Sequence, residues 1–248
     1  MNVALAAAVA APALAIGSFL NVVASRVPLR RSIGSRSGCM ACGAPIRWYD
    51  NIPLVSYAVL RGHCRDCAAP IPVRYPLVEA GTALLWIACA LRFGLSAYTL
   101  LAGFFCTVLV VISAIDLEHR IVPNRIVIPS AAITLVAHTL IDPSPEWALG
   151  AAAAFGVFFV IALLNPRGMG MGDVKLCLLL GAMLGWNVFL GIFLGLLAGT
   201  IPAIVLAFKH GMYARKMGIP FAPFLAFGSI VALFAGDALL DAYRGILG

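Results

Sequence analysis

"VKLCLLLGAMLGWNVFLGIFLGLLAGTIPAIVLAF", residues 174–208, decides the fold. It carries one charge, Lys175, near its start, and Asn187 near its middle. As a single helix it would be about 52 Å long at 1.5 Å per residue, against a hydrocarbon core of about 30 Å. The break is expected at Gly185-Trp186-Asn187. Tryptophan favours the membrane interface, and glycine and asparagine favour a turn. The stretch therefore reads as two membrane helices, the first of them short.

The rest of the chain repeats the pattern. It is 62% hydrophobic and 11% charged, where a soluble domain carries about 25% charged residues. In a bilayer only helices and closed barrels satisfy the backbone, and continuous rather than alternating apolar blocks point to helices. The expected fold is all-α: a polytopic membrane protein of about eight transmembrane helices. They fall near 3–24, 77–94, 97–115, 126–141, 147–164, 174–187, 188–208 and 221–240. With the first loop cytosolic, all of the 17 lysines and arginines except Arg92 and Arg244 lie inside, and both termini lie outside. Merging the sixth and seventh helices would move Lys209, Arg215 and Lys216 outside, so the split topology is preferred. This topology accounts for the net charge of +7, and no nucleic-acid partner is expected. The first helix reads as a retained span rather than a cleaved signal. No positive charge precedes it, and four arginines follow by Arg36.

Four of the seven cysteines form two pairs, Cys39-x-x-Cys42 and Cys64-x-x-Cys67. Paired knuckles of this kind signal zinc, and four thiolates close a tetrahedral shell with no position left for catalysis. Two disulfides are the alternative. They need an oxidising compartment, whereas the topology puts this loop in the cytosol. His63 adjoins Cys64 but is not needed to complete the set. The module is rich in arginine, glycine and proline and has too little apolar content for a core, which suits a metal staple. The expected division is 1–25, first transmembrane helix; 26–76, cytosolic four-cysteine zinc module; and 77–248, a seven-helix membrane core.

Acids at a membrane edge are costly and are functional candidates by default. Asp50 and Asp66 fall in the cysteine loop, and Glu79 opens the second span. Asp142, Glu146, Asp237 and Asp241 fall on the outer side. Asp116, closing the third span, and Asp173, opening the sixth, share the cytosolic border. Two aspartates meeting at such an edge can share a proton, one activating water while the other protonates a scissile carbonyl. The helix dipoles favour charge at Asp173 and disfavour it at Asp116. A glycine-rich approach, "GMGMGD" at 168–173, lets an extended peptide backbone come close. The blander readings are an N-cap for Asp173 and a pairing of Asp116 with His119 or Arg120. Glu118 ranks behind both aspartates.

Together these stretches resemble the type IV prepilin peptidases, bacterial membrane aspartic proteases of the GxGD type. The resemblance runs through "GSFLNVVASRVP" at 17–28, the two cysteine pairs, "WYDNIPLVSYAVLRG" at 48–62 and "RYPLVEAGT" at 74–82. It continues through "IDLEHRIVPN" at 115–124, "GMGD" at 170–173 and "PFAPFLAFG" at 220–228. It implies an endopeptidase of the bacterial inner membrane, with Asp116 and Asp173 as the catalytic pair. The enzyme would cut the short basic leader from prepilins or pseudopilins of type IV pili or type II secretion systems. It also implies N-methylation of the new N-terminus from S-adenosylmethionine, for which the residues show no cofactor fingerprint. Anionic membrane lipids are an expected partner, because the enzyme's cytosolic face is as basic as the leader. A transporter or proton pathway and a non-catalytic assembly scaffold are the rival readings. The single-edge placement of the acids and the lack of an inverted repeat weigh against a transporter.

Overall fold

The computed structural model describes residues 3–165, 169–210 and 220–247. Arg167, Gly168, Arg215 and Lys216, which entered the charge and loop readings, lie outside the described residues. The chain forms two compact units, Met1–Ile115 and Asp116–Gly248. Among the described residues the regular structure is helical, apart from two isolated bridges.

In the first unit, α1 (Val3–Arg26) packs along α3 (Arg74–Phe93). The two backbones come close at Gly17, where a Cβ would lie 2.7 Å from the Cα of Glu79. The loop between them carries a 3-10 turn, Trp48–Asn51, and the short α2 (Val55–Val59). α3 begins at Arg74, a turn earlier than expected, so Glu79 sits inside the helix rather than at its opening. Glu79 is 8% exposed, and its carboxylate accepts the N–H of Leu54 at 2.9 Å. α4 (Ala97–His119) follows. Trp86 of α3 lies over Gly103 of α4 and donates its indole N–H to Thr107 at 2.9 Å.

The second unit holds α5 (Asn124–Ile141), α6 (Glu146–Leu164), α7 (Met171–Leu184), α8 (Val188–His210) and α9 (Ala222–Leu247). α7 packs against α5, α6 and α9. It is buried at Val174, Leu176, Cys177 and every residue from Leu179 to Leu184. A helix apolar on all sides suits such an enclosed position.

The expected break is present. α7 ends where Gly185 takes φ +55°, a left-handed conformation that favours glycine, and a 3-10 turn, Gly185–Asn187, leads into α8. Glu146 accepts the N–H of Trp186 at 3.4 Å, and Asn187 donates to Asp237 at 2.8 Å. On α8, Gly191 faces Ser229 and Ala232, whereas Gly195 faces Phe224 and Leu225. α8 therefore runs antiparallel to α9, from the Asp237 level back to the Phe224 level. Among the described residues, seven helical stretches are long and apolar enough to cross a membrane. One of them, Met171–Lys209, is 39 residues long and contains this break, so its arms α7 and α8 bring the helices to the eight expected. The chain is a multi-pass membrane protein.

Gly150 and Gly181 let α6 and α7 touch backbone to backbone. A Cβ at Gly181 would lie 2.5 Å from the Cα of Ala151. Gly181→Val should therefore lower thermal stability in detergent, by roughly 1–3 kcal/mol or more. Gly156→Ala, where nothing lies within 4 Å of the added carbon, should be neutral or mildly stabilising in the same melt.

Candidate active site and metal centre

Asp116 lies in the last turn of α4. The helix stops three residues later because Arg120 turns to φ +54°, its N–H bonding back to the Asp116 carbonyl at 2.9 Å. Residues 121–123 then cross to α5, and Pro123, which cannot continue a helix from α4, stands at the α5 N-cap. This strap meets the first turn of α7. A Cβ on Gly172 would lie 2.8 Å from Cβ of Val122. Lys175 donates to the Asn124 side chain at 3.0 Å. The first turn of α7 is thus seated on the segment that follows Asp116.

The two aspartates come together here. Asp116 is 5% exposed, and its Oδ2 accepts the N–H of Ala222, the first residue of α9, at 3.0 Å. The N–H of Phe221 is also directed at it. Asp173 is half-buried and lies within reach of the charge of Asp116. The cap reading does not describe Asp173, whereas the charge of Arg120 does reach Asp116. The N-cap of α7 is Gly170, without a side-chain cap, and Asp173 donates its backbone N–H to Gly170 at 3.1 Å. His119 lies 3.7 Å from Glu118, while the hydrogen-bond partner of Asp116 is the start of α9. Asp116 therefore faces a helix N-terminus, as Asp173 does at the start of α7. The helix-end asymmetry expected from the sequence does not tell the two acids apart.

The pair is recessed. α6 and α7 are antiparallel with Gly150 against Gly181, which puts Asp173 abreast of Phe158. α6 continues to Leu164, roughly 9 Å further at 1.5 Å per residue.

The four module cysteines also converge. Their sulfurs all lie within 4.8 Å of one another, and Cys39 and Cys67 are 3.8 Å apart. Metal–sulfur bonds of about 2.3 Å in a tetrahedron require sulfurs about 3.8 Å apart, so the set fits a metal ion. Two matching turns build it. Cys39 takes its N–H to Ala44 and receives that of Gly43 (both 2.9 Å); Cys64 does the same with Ala69 (2.8 Å) and Ala68 (2.9 Å). Gly43 and Ala68 hold the same left-handed position, at φ +72° and +55°. His63 stands outside the set, with Nδ1 on the Arg61 carbonyl at 2.7 Å. The backbone N–H groups of Cys42 and Ala41 bring the Cys39 thiol down to about 6. At Cys67 the N–H of Ala69 also favours the thiolate, but the crowding thiols of Cys42, Cys64 and Cys39 outweigh it and push the group up to about 12. Four thiolates cannot ionise together here without a cation among them.

Around this centre, the side chain of Arg26 holds the carbonyls of Ser32, Ile33, Ser35 and Arg36. Arg65 grips Asp50 with two bonds, 2.8 and 2.6 Å, which keeps that carboxyl below the usual carboxylate range. Sequence reasoning had no signal for the Ala222 amide, because a backbone donor has no side-chain identity. The Lys175–Asn124 contact was equally silent, since lysine and asparagine at helix starts are ordinary.

An enclosed short helix carrying one acid in its first turn, met by a second acid from the end of α4, defines a helical membrane protein with a paired-carboxylate site. The chain belongs to the type IV leader peptidase family. That family's profile matches residues 103–208, and the profile described as the bacterial peptidase A24 N-terminal domain matches residues 12–93. The prepilin leader peptidase/N-methyltransferase of Bacillus subtilis is 36% identical over 235 residues, covering 93% of this chain and 94% of that protein. Its namesake in Pseudomonas aeruginosa is 34% identical over 270 residues, covering 95% and 92%. That of Myxococcus xanthus is 40% identical over 207 residues, covering 80% of this chain and 62% of that protein. No solved structure matches the chain.

Two outcomes are expected. Elemental analysis of the purified protein should give one thiophilic metal ion per chain, and Cys67→Ser should lose most of it. Gly172→Ala should push the 121–123 strap off α7 and lower turnover, by up to about a hundredfold if the carboxylates move by 1 Å, while the helix content measured by circular dichroism stays unchanged.

Proposed function

We propose that this chain is a membrane aspartic endopeptidase that removes the short basic leader from type IV prepilins or pseudopilins. The observation that carries this is the meeting of Asp116 and Asp173 at the mouth of α7. One carboxylate takes a proton from a water molecule held between them, and the oxygen attacks the scissile carbonyl. The other gives its proton to the carbonyl oxygen, so charge does not build up in a low-dielectric recess. Collapse of the tetrahedral intermediate breaks the C–N bond as the leaving amine is protonated. Ala222 fixes Asp116 by its Oδ2, leaving Oδ1 for the water or the substrate. Membership in the leader peptidase family and the names of the relatives support the substrate class.

The charge pattern supports a sidedness. The module and the aspartates face the cytosol of a bacterial inner membrane, and both termini face away. A prepilin's leader and apolar helix meet at that border. Anionic lipids moderate the repulsion between the basic leader and the basic module. The four cysteines hold a structural zinc, reduced thiols being the cytosolic norm. The three-part division at residues 25 and 76 follows from this topology. After cleavage the chain methylates the new N-terminal amine from S-adenosylmethionine, an activity that the relatives' shared name supports.

Asp116 has a structural duty as well as a catalytic one, so the variant chosen matters. Asp116→Asn keeps an oxygen for Ala222 but removes the proton-transfer group. Cleavage of a prepilin by this variant and by Asp173→Asn should fall by about 10²–10⁴ or more, with the melting temperature of each near that of the parent. Asp116→Ala should in addition lose about 1 kcal/mol through the uncapped α9. Asparagine variants that still cleave would point to a transporter or scaffold role instead.

A further inference from the structure

The loop between α1 and α3 turns an apolar helix face away from its own body. Within α2, the buried Ser56 bonds the Tyr49 carbonyl at 2.9 Å, and the Tyr57 ring lies against the buried Gly62. These two residues mark the inward side of the helix. Val55, Ala58 and Val59 lie on the other side, since positions three and four apart share a face. All three are exposed, Val55 at 54% and Val59 at 69%. A helix side open to water normally carries polar groups. This one carries none, although the loop around it is strongly basic.

Its place along the membrane helices accounts for that composition. Leu54, the N-cap of α2, donates its N–H to Glu79 at 2.9 Å. Glu79 is the sixth residue of α3, about 7.5 Å from the helix start at 1.5 Å per residue. Gly17 of α1 lies against the Glu79 backbone, and α1 runs nine residues further, about 13 Å, to Arg26. Both helices are long and apolar enough to cross a membrane. The start of α2 is thus level with the interior of two spans, not beyond their ends. Leu54 holds φ +59° there, a conformation that a non-glycine residue keeps only where its surroundings fix it.

Charge adds a second constraint. From Arg26 to Arg74 the chain holds eight arginines and two acids. Arg61 stands two residues after Val59. It is exposed, and its side chain makes no hydrogen bond or ion pair among the described residues. A free guanidinium next to an outward apolar face matches an anionic phospholipid, with acyl chains against the valines and phosphate on the arginine. We propose that α2 is an interfacial anchor: Val55, Ala58 and Val59 enter the acyl region of the leaflet, and Arg61 takes the phosphate of an anionic phospholipid. The cysteine module is thereby held down on the membrane rather than suspended from α1 and α3 by its ends. The proposal rests on the chain's spanning a membrane and is independent of the peptidase reading.

The test uses the full-length protein in vesicles of phosphatidylglycerol and phosphatidylcholine in equal parts, with Val55→Trp and Val59→Trp made separately. The chain already has four tryptophans, so the added emission is read as the difference from the parent. Lipids brominated in mid-chain should quench most of it, and iodide in the water should leave it unchanged. Bromine carried on phosphatidylglycerol should quench more strongly than the same amount carried on phosphatidylcholine, and adding Arg61→Gln should make the two alike. Quenching by iodide would put this face in water, and protection from both quenchers would put a protein surface over it. Either result overturns the anchor. Equal quenching by the two lipids with Arg61 intact would overturn the anionic partner. Circular dichroism identifies a variant that has failed to fold, and because both tryptophans report the same face, either one decides the question.

Discussion

A carboxylate buried in an apolar helix bundle must be met by hydrogen-bond donors, and Asp116 meets this need with the first amide of α9. That contact closes a circuit. It fixes the end of α4 to the start of α9, while the strap after Asp116 carries the first turn of α7. The free N–H groups of a helix start are the strongest uncharged donors available in such a place. Using them, the protein gives the buried Asp116 carboxylate neutral donors beside the charge of Arg120.

Much of this was legible from the residues. Hydropathy located each span; the 35-residue length of 174–208 called for a break, and Gly185-Trp186-Asn187 gave its place. The cysteine pairs announced their convergence through spacing. Both aspartates stood out as acids at span edges. The sequence hid what depends on backbone. The Ala222 amide could not be foreseen, and with it went the premise that the two acids sit at opposite helix ends. The early start of α3 hid too, since Arg74 and Pro76 read as loop. That shift moves Glu79 from the opening of the span to a buried place inside it, and it brings the Tyr75 carbonyl to Asn21.

The cysteine module shows how little apolar material a small fold needs when other constraints replace a core. Two near-identical turns supply the ligands, and one arginine fork ties the intervening 3-10 turn to the second knuckle. Another arginine, at the end of α1, gathers the carbonyls of Ser32, Ile33, Ser35 and Arg36. Exposed Trp48 and Met40, each 82% accessible, show that hydrophobic burial is not what holds it. The repeated turn places Ala68 where its twin has glycine, both in the left-handed region.

The overhang of α6 beyond α7 has a consequence for whatever peptide enters. A bond drawn down beside α6 to the level of Phe158 sheds its hydration shell before it reaches the acids. A helical segment brings its carbonyls already paired and has nothing to offer them. Only a stretch unwound at that depth presents an unpaired carbonyl. The descent therefore sorts polypeptides by how readily they fray beside a greasy helix, a selection made by solvation before any side chain is recognised.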